Sequence, residues 1–222
     1  MELQKDNNSL KSYLIAVTGS FGAGKSLIGE ILKDIGVYVI DTDEIVREIL
    51  KTKNLVTNQI VDEFGDSVVI VNKANIDSEY IDKKALSNIV FNDSTKRKKL
   101  ESIIHPEVED KLVKLILLNK DKNIIAVLIP LLFECKLEKN YDETWCVFCD
   151  EKIQLERLKQ RGFTNEGALK RISTQLSQVE KTKRADFVIN NSDSVLDTKE
   201  QVIKRLKMLV QSNRNLHLSF YK

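Results

Sequence analysis

The chain has 222 residues, with 35 basic and 33 acidic side chains, a formal net charge of +2 and a hydrophobic share of 42%. That length suits one domain with a full core and insertions, the apolar share excludes a disordered chain, and the near-zero charge excludes a nucleic-acid partner held by bulk positive charge. No apolar run reaches the roughly 18 residues that span a bilayer, the first ten residues lack the hydrophobic stretch of a secretory signal, and three cysteines are too few for a disulfide framework, so a cytoplasmic protein with no membrane partner and no obligate protein partner is expected.

The first predicted element is a strand from Tyr13 to Thr18, followed by Gly19, Ser20, Phe21, Gly22, Ala23, Gly24, Lys25 and Ser26. These eight residues satisfy G-x-x-x-x-G-K-[ST] between a strand and a helix, the context a phosphate-binding loop requires. Its glycines let backbone N–H groups turn inward around a phosphate, and the following helix adds the positive end of its dipole. Lys25 is placed to bridge β- and γ-phosphates, and Ser26 to offer a hydroxyl to Mg²⁺. The helix runs from about Lys25 to Ile35 and stops at Gly36, a residue suited to the left-handed turn after a helix.

A second strand, Val37 to Ile40, delivers Asp41-Thr42-Asp43 to the C-terminal sheet edge, where α/β proteins bind ligands. One carboxylate there can orient or deprotonate a hydroxyl and the other can support Mg²⁺; equally, acids in a first helical turn complement the helix dipole. The next stretch, to the third strand, is far too long for a simple crossover. Helical spacing in Ile60-Val61-Phe64, Leu86-Ile89-Val90 and Leu100-Ile103-Ile104 makes it a helical insertion over about 59–121. Within it His105 precedes Pro106, which reads as a turn or a helix start.

The third strand, Ile124 to Ile129, runs into Pro130-Leu131-Leu132-Phe133-Glu134 without the Asp that a motor ATPase normally supplies there. A guanine-binding N-K-x-D is also missing, since Asn72-Lys73-Ala74-Asn75 and Asn119-Lys120-Asp121-Lys122 both fail at the fourth position. The fourth strand, Thr144 to Phe148, contains Cys146 and leads to Cys149; residues three apart on a strand face opposite ways, so this pair reads as core packing. A second insertion over about 151–184 is richer in basic than acidic side chains and is broken by Gly162 into two helical segments, as in a lid. Its Arg157, Arg161 and Arg171 can present guanidinium groups to phosphates or form a solvated helix face. The fifth strand is Phe187 to Ile189. With core segments at about 12–58, 122–150 and 185–222, the prediction is a single α/β domain, a P-loop NTPase-type three-layer sandwich with a five-stranded parallel sheet. No His and Cys constellation for a metal emerges around His105, His217 and Cys135.

Taken in order, Val17-Thr18-Gly19 with the loop, Asp41-Thr42-Asp43 with Arg47, Lys83-Lys84-Ala85-Leu86, His105-Pro106, Pro130-Leu131-Leu132-Phe133-Glu134, Gln154 to Arg157, Arg171 to Gln178, Lys181, Ala185-Asp186 and Ile189-Asn190-Asn191 resemble the dephospho-CoA kinase family. The resemblance implies a nucleotide-binding core, a helical insertion for the coenzyme A precursor and a lid over ATP. It further implies transfer from MgATP to the ribose 3′-hydroxyl of dephospho-CoA, with Asp43 as the base, Asp41 and Ser26 supporting Mg²⁺, and Arg157 bracing transition-state charge. Arg47, Lys83, His105 and Glu134 fall at family positions near the acceptor. Lys83 stands where the family usually has arginine, which exchanges a fork for a point charge. Leu27 replaces a second hydroxyl after the loop, and Thr42 replaces a small residue between the two acids.

Overall fold

The computed structural model describes residues 12–70, 80–91, 93–213, 216 and 218. Residues 1–11, Asn72 to Asn75, and His217 lie outside them.

The described residues through Asp41 and from Asn119 onward form one compact unit. Its sheet has five parallel strands in the order β2-β3-β1-β4-β5, comprising β1 (Tyr13–Gly19), β2 (Tyr38–Asp41), β3 (Ile124–Leu128), β4 (Glu143–Phe148) and β5 (Phe187–Asn190). Each lies within two residues of its predicted span. Their near-continuous apolar runs suit strands covered on both faces: β3 is buried along its whole length, and Ile15, Ala16 and Val17 of β1 are fully buried. One face packs on α1 (Lys25–Asp34) and α9 (Val195–Ser212), where Ile15, Val17, Trp145, Val147 and Ile189 meet Ile28, Leu32, Val202 and Leu206. The opposite face, which carries Cys146 by strand alternation, receives α8 (Gln178–Arg184).

Because every strand runs the same way, their C-terminal ends share one edge. The register pairs Asp41 with Leu128 and Leu128 with Val17, so the end of β2 is level with the last turn of chain before the glycine loop. At the other edge, buried Glu143 takes hydrogen bonds from Trp145 Nε1 and Arg205 Nε, both at 2.7 Å, and from Tyr13 Oη at 3.2 Å. Burial, with Glu143 beside it, pushes the Tyr13 hydroxyl up to about 12. This network ties β1 and β4 to α9 far from the glycine loop.

The basic segment after β4 forms three helices, α6 (Glu151–Gln160), α7 (Asn165–Ile172) and α8, rather than two. Gly162 makes the break between α6 and α7 at φ +86°, and a second break ends in Ser177, whose side chain caps α8 in a reciprocal capping box with Glu180.

The described residues within Thr42–Leu118 form the second unit. Its helices are α2 (Thr42–Lys51), α3 (Leu55–Phe64), α4 (Lys83–Phe91) and α5 (Ser94–Leu118). The first three each pack on α5, so the compact unit begins at Thr42, whereas apolar spacing places an insertion from about 59. His105 and Pro106 lie inside α5, not at a turn or helix start. Proline there removes the bond its N–H would give to the carbonyl of Ser102, but both residues are exposed and water can serve that carbonyl. Packing of three helices along α5 outweighs the local breaker.

Candidate active site

The glycine loop spans the turn from β1 to α1. Gly22 and Gly24 adopt φ of +86° and +107°, a region side chains avoid. Space excludes side chains there as well: a Cβ on Gly22 would lie 2.8 Å from Leu158 Cγ, and one on Gly24 would lie 2.0 Å from Asn191 Nδ2. The loop is therefore wrapped closely by α6 and by the chain after β5. Lys25 opens α1 and donates from Nζ to the Gly19 carbonyl at 2.8 Å and the Ser20 carbonyl at 3.4 Å. Ser26 follows, exposed in the first turn.

Four side chains grip the loop from outside. Gln154 Nε2 donates to the Phe21 carbonyl at 2.6 Å, Gln175 Oε1 accepts from the Phe21 N–H at 3.0 Å, and Asn191 Nδ2 donates to the Ala23 carbonyl at 2.8 Å. The fourth is Arg171, whose guanidinium lies 5.4 Å from the Phe21 ring centroid and 4.9 Å from that of Phe163. The two rings pack edge to face at 5.3 Å, a geometry that favours both contacts.

Arg157, on α6, sends Nη1 to within 3.8 Å of the position a Cβ on Gly24 would take. That nitrogen is buried and has no hydrogen-bond partner among the described residues. Burial raises the Cys149 thiol while Arg157 beside it acts in the lowering direction; burial likewise pushes Cys146 up to about 11. Both thiols are fully buried, and among the described residues no cluster of three or more His, Cys, Asp or Glu could hold a metal ion. Arg161 caps the end of α6 and is exposed, so of Arg157, Arg161 and Arg171 the structure brings Arg157 and Arg171 to the loop.

Glu134 follows β3 and is held by two groups: Lys181 Nζ donates to its Oε1 at 2.8 Å, and the Leu176 N–H donates to the same atom at 2.9 Å. Lys181 is fully buried and also donates to the Pro130 carbonyl at 2.7 Å, which Thr18 Oγ1 reaches at 3.2 Å. This ammonium fastens α8 to the end of β3. Replacing Lys181 by methionine keeps the stem but strands the carboxylate. Since Glu134 keeps the Leu176 N–H and is 19% exposed, the loss should fall below the range for a fully buried pair, at about 2 kcal/mol. A melting temperature lowered by about 4–8 °C is expected; an unchanged one would mean that the ion pair adds nothing.

In the second unit, Asp43 is exposed in the first turn of α2 beside Glu44. Arg47 pairs with Glu44 at 3.8 Å, both about half exposed. Lys83 is the first residue of α4, and His105 is exposed on α5. Asp41, in the first unit, ends β2.

Sequence reasoning placed Gln154, Gln175, Gln178, Lys181 and Asn191 in segments that resemble the family but gave them no role as builders of this site. A buried lysine in a segment rich in exposed ones carries no spacing signal, and amides that bond backbone from distant segments carry none either.

The dephospho-CoA kinase family (CoaE) matches residues 13–197. The chain is 38% identical to a dephospho-CoA kinase of Carboxydothermus hydrogenoformans over 197 residues, 87% of this chain and 93% of that protein. It is also 38% identical to one from Geobacillus kaustophilus over 196 residues, covering 87% and 94%. Among solved structures it resembles the dephospho-CoA kinase from Campylobacter jejuni with 30% identity and a TM-score of 0.62, and TT1252 from Thermus thermophilus with 28% identity and a TM-score of 0.77; both likenesses cover 90% of this chain and 98% of the other.

Proposed function

We propose a division of labour among these residues for a chain that belongs to the dephospho-CoA kinase family. The chain is a phosphotransferase of coenzyme A biosynthesis that uses ATP. One observation carries the nucleotide half of the reading: a loop closed against Leu158 and Asn191, with glycines at positive φ and Lys25 folded onto it. Its acceptor is dephospho-CoA, phosphorylated on the ribose 3′-hydroxyl.

The loop residues from Gly19 to Ser26 cradle the β- and γ-phosphates through backbone N–H groups, and Lys25 neutralises charge on their oxygens. Asp43 orients the 3′-hydroxyl and takes its proton as the new O–P bond forms and the bond to the ADP oxygen breaks. Arg157 supplies guanidinium donors to the γ-phosphoryl oxygens, where charge shifts during transfer, and Arg161, exposed at the end of α6, offers a further cation to the nucleotide from solvent. Ser26 and Asp41 offer a hydroxyl and a carboxylate, the hard oxygen donors that suit Mg²⁺. They would hold the ion, which when bound neutralises phosphate charge. Arg47, Lys83, His105 and Glu134 serve the acceptor, Lys83 as a point charge toward its phosphates.

Among the described residues no helix is long and apolar enough to cross a membrane, and Cys135, Cys146 and Cys149 form no disulfide. Cysteines outside any disulfide and a metabolite substrate support a cytoplasmic setting.

The test is acceptor choice. Purified protein with MgATP is expected to convert dephospho-CoA to coenzyme A with one ADP formed for each, and to leave nucleosides and shikimate unchanged. Turnover of a nucleoside but not of dephospho-CoA would overturn the acceptor assignment and leave only the nucleotide half.

A further inference from the structure

In a planar trans peptide the carbonyl and the next residue's N–H point in opposite directions. A donor that fixes one carbonyl of a loop therefore aims the following N–H. Two side-chain amides do this in the glycine loop: Gln154 Nε2 holds the Phe21 carbonyl at 2.6 Å, and Asn191 Nδ2 holds the Ala23 carbonyl at 2.8 Å. The peptides so fixed carry the N–H groups of Gly22 and Gly24. Both amides are 1% exposed, so water is not a ready substitute donor.

Each amide is itself prevented from flipping. The Ala23 carbonyl can only accept, so it takes the Asn191 nitrogen, while Thr198 Oγ1, fully buried on α9, lies 3.1 Å from both Asn191 Oδ1 and the Ser194 carbonyl and has one proton for the two. Gln178 Nε2 donates to Gln154 Oε1 at 3.1 Å. Gln178 is oriented in turn by the Cys149 backbone, since its Oε1 accepts from the Cys149 N–H at 3.1 Å and its Nε2 donates to the Cys149 carbonyl at 3.0 Å. An amide relay thus runs from the end of β4 through α8 and α6 to the loop.

We propose that Gln154 and Asn191 are positioning residues that turn the Gly22 and Gly24 N–H groups toward the β- and γ-phosphates of the nucleotide, with Gln178 setting the orientation of Gln154. The inference rests on the reading of the loop as the ATP cradle. Flipping either peptide would replace an N–H donor at the anion with a carbonyl oxygen, which repels it. Gly24 cannot be anything else, because Asn191 occupies the space of its Cβ.

The test compares ATP, ADP and AMP binding by calorimetry in the full-length wild type and in Gln154→Met and Asn191→Ala. Loss of a donor aimed at a charged group should weaken ATP and ADP about ten- to hundred-fold. AMP, which lacks the β-phosphate, should bind as before. A general packing defect would weaken all three alike. If wild type itself does not prefer ATP and ADP to AMP, the cradle reading fails; if it does and both variants keep the same ATP-to-AMP ratio, the positioning role is overturned. Should the variants not fold, wild-type ¹⁵N spectra decide the matter: the Gly22 and Gly24 amide signals are expected to shift with ADP and not with AMP, and no such difference would refute the proposal.

Discussion

Replacing Asp43 by asparagine is expected to lower kcat on the order of 10²-fold or more while leaving the Kd for ATP unchanged, as for removal of a general base. Asparagine keeps the size and one acceptor oxygen of the side chain but cannot take a proton at neutral pH. Asp43 also sits in the first turn of α2, where a negative charge is worth about 0.3–1 kcal/mol against the helix dipole. Glu44 remains in that turn, so the helix should hold and the folded protein should be measurable. Steady-state kinetics with a parallel ATP titration separate the two roles. Turnover equal to wild type would reduce Asp43 to a helix-start acid, and would favour a nucleotide-sensing module whose loop only orders the chain.

Arg157→Lys is the second large effect, with a fall in kcat on the order of 10²-fold. The side chain is already in place beside Gly24, with Nη1 buried and without a hydrogen-bond partner among the described residues. A buried guanidinium nitrogen with no partner is costly to keep unless something else uses it. Lysine preserves the positive charge, so long-range attraction of ATP should survive and KM should change less than kcat. The planar fork and its paired donors are lost, and a single ammonium cannot span two phosphoryl oxygens in the same way. An unchanged kcat would show that Arg157 serves packing against Cys149 and nothing in the transfer step.

The sheet was largely legible from the residues because its signal is simple: buried parallel strands are short apolar runs, and Tyr13, Ile124 and Phe187 each open one as expected. The glycine loop was legible for the same kind of reason, since a glycine-rich run between strand and helix is a local pattern. Local pattern misled at Pro106, where helices packed along α5 override a residue that ordinarily stops a helix. It was silent on the side chains that shape the loop. Gln154 and Asn191 bond carbonyls 133 and 168 residues away in sequence, and no periodicity links such partners. Lys181 was hidden likewise: its neighbours Lys183 and Arg184 are exposed, while it alone of the three is fully buried. Among Arg157, Arg161 and Arg171, spacing could not separate Arg171, which stacks on Phe21 and Phe163, from Arg161, which caps a helix in solvent.

The most direct measurement of the transfer itself is ³¹P NMR on the product formed from dephospho-CoA and ATP carrying ¹⁸O in the γ-phosphoryl group. A new phosphomonoester signal coupled to the ribose H3′, bearing the isotope shift and matched by an equal amount of ADP, is the predicted result. Labelled inorganic phosphate without that ester, or an ester at another position, would contradict it.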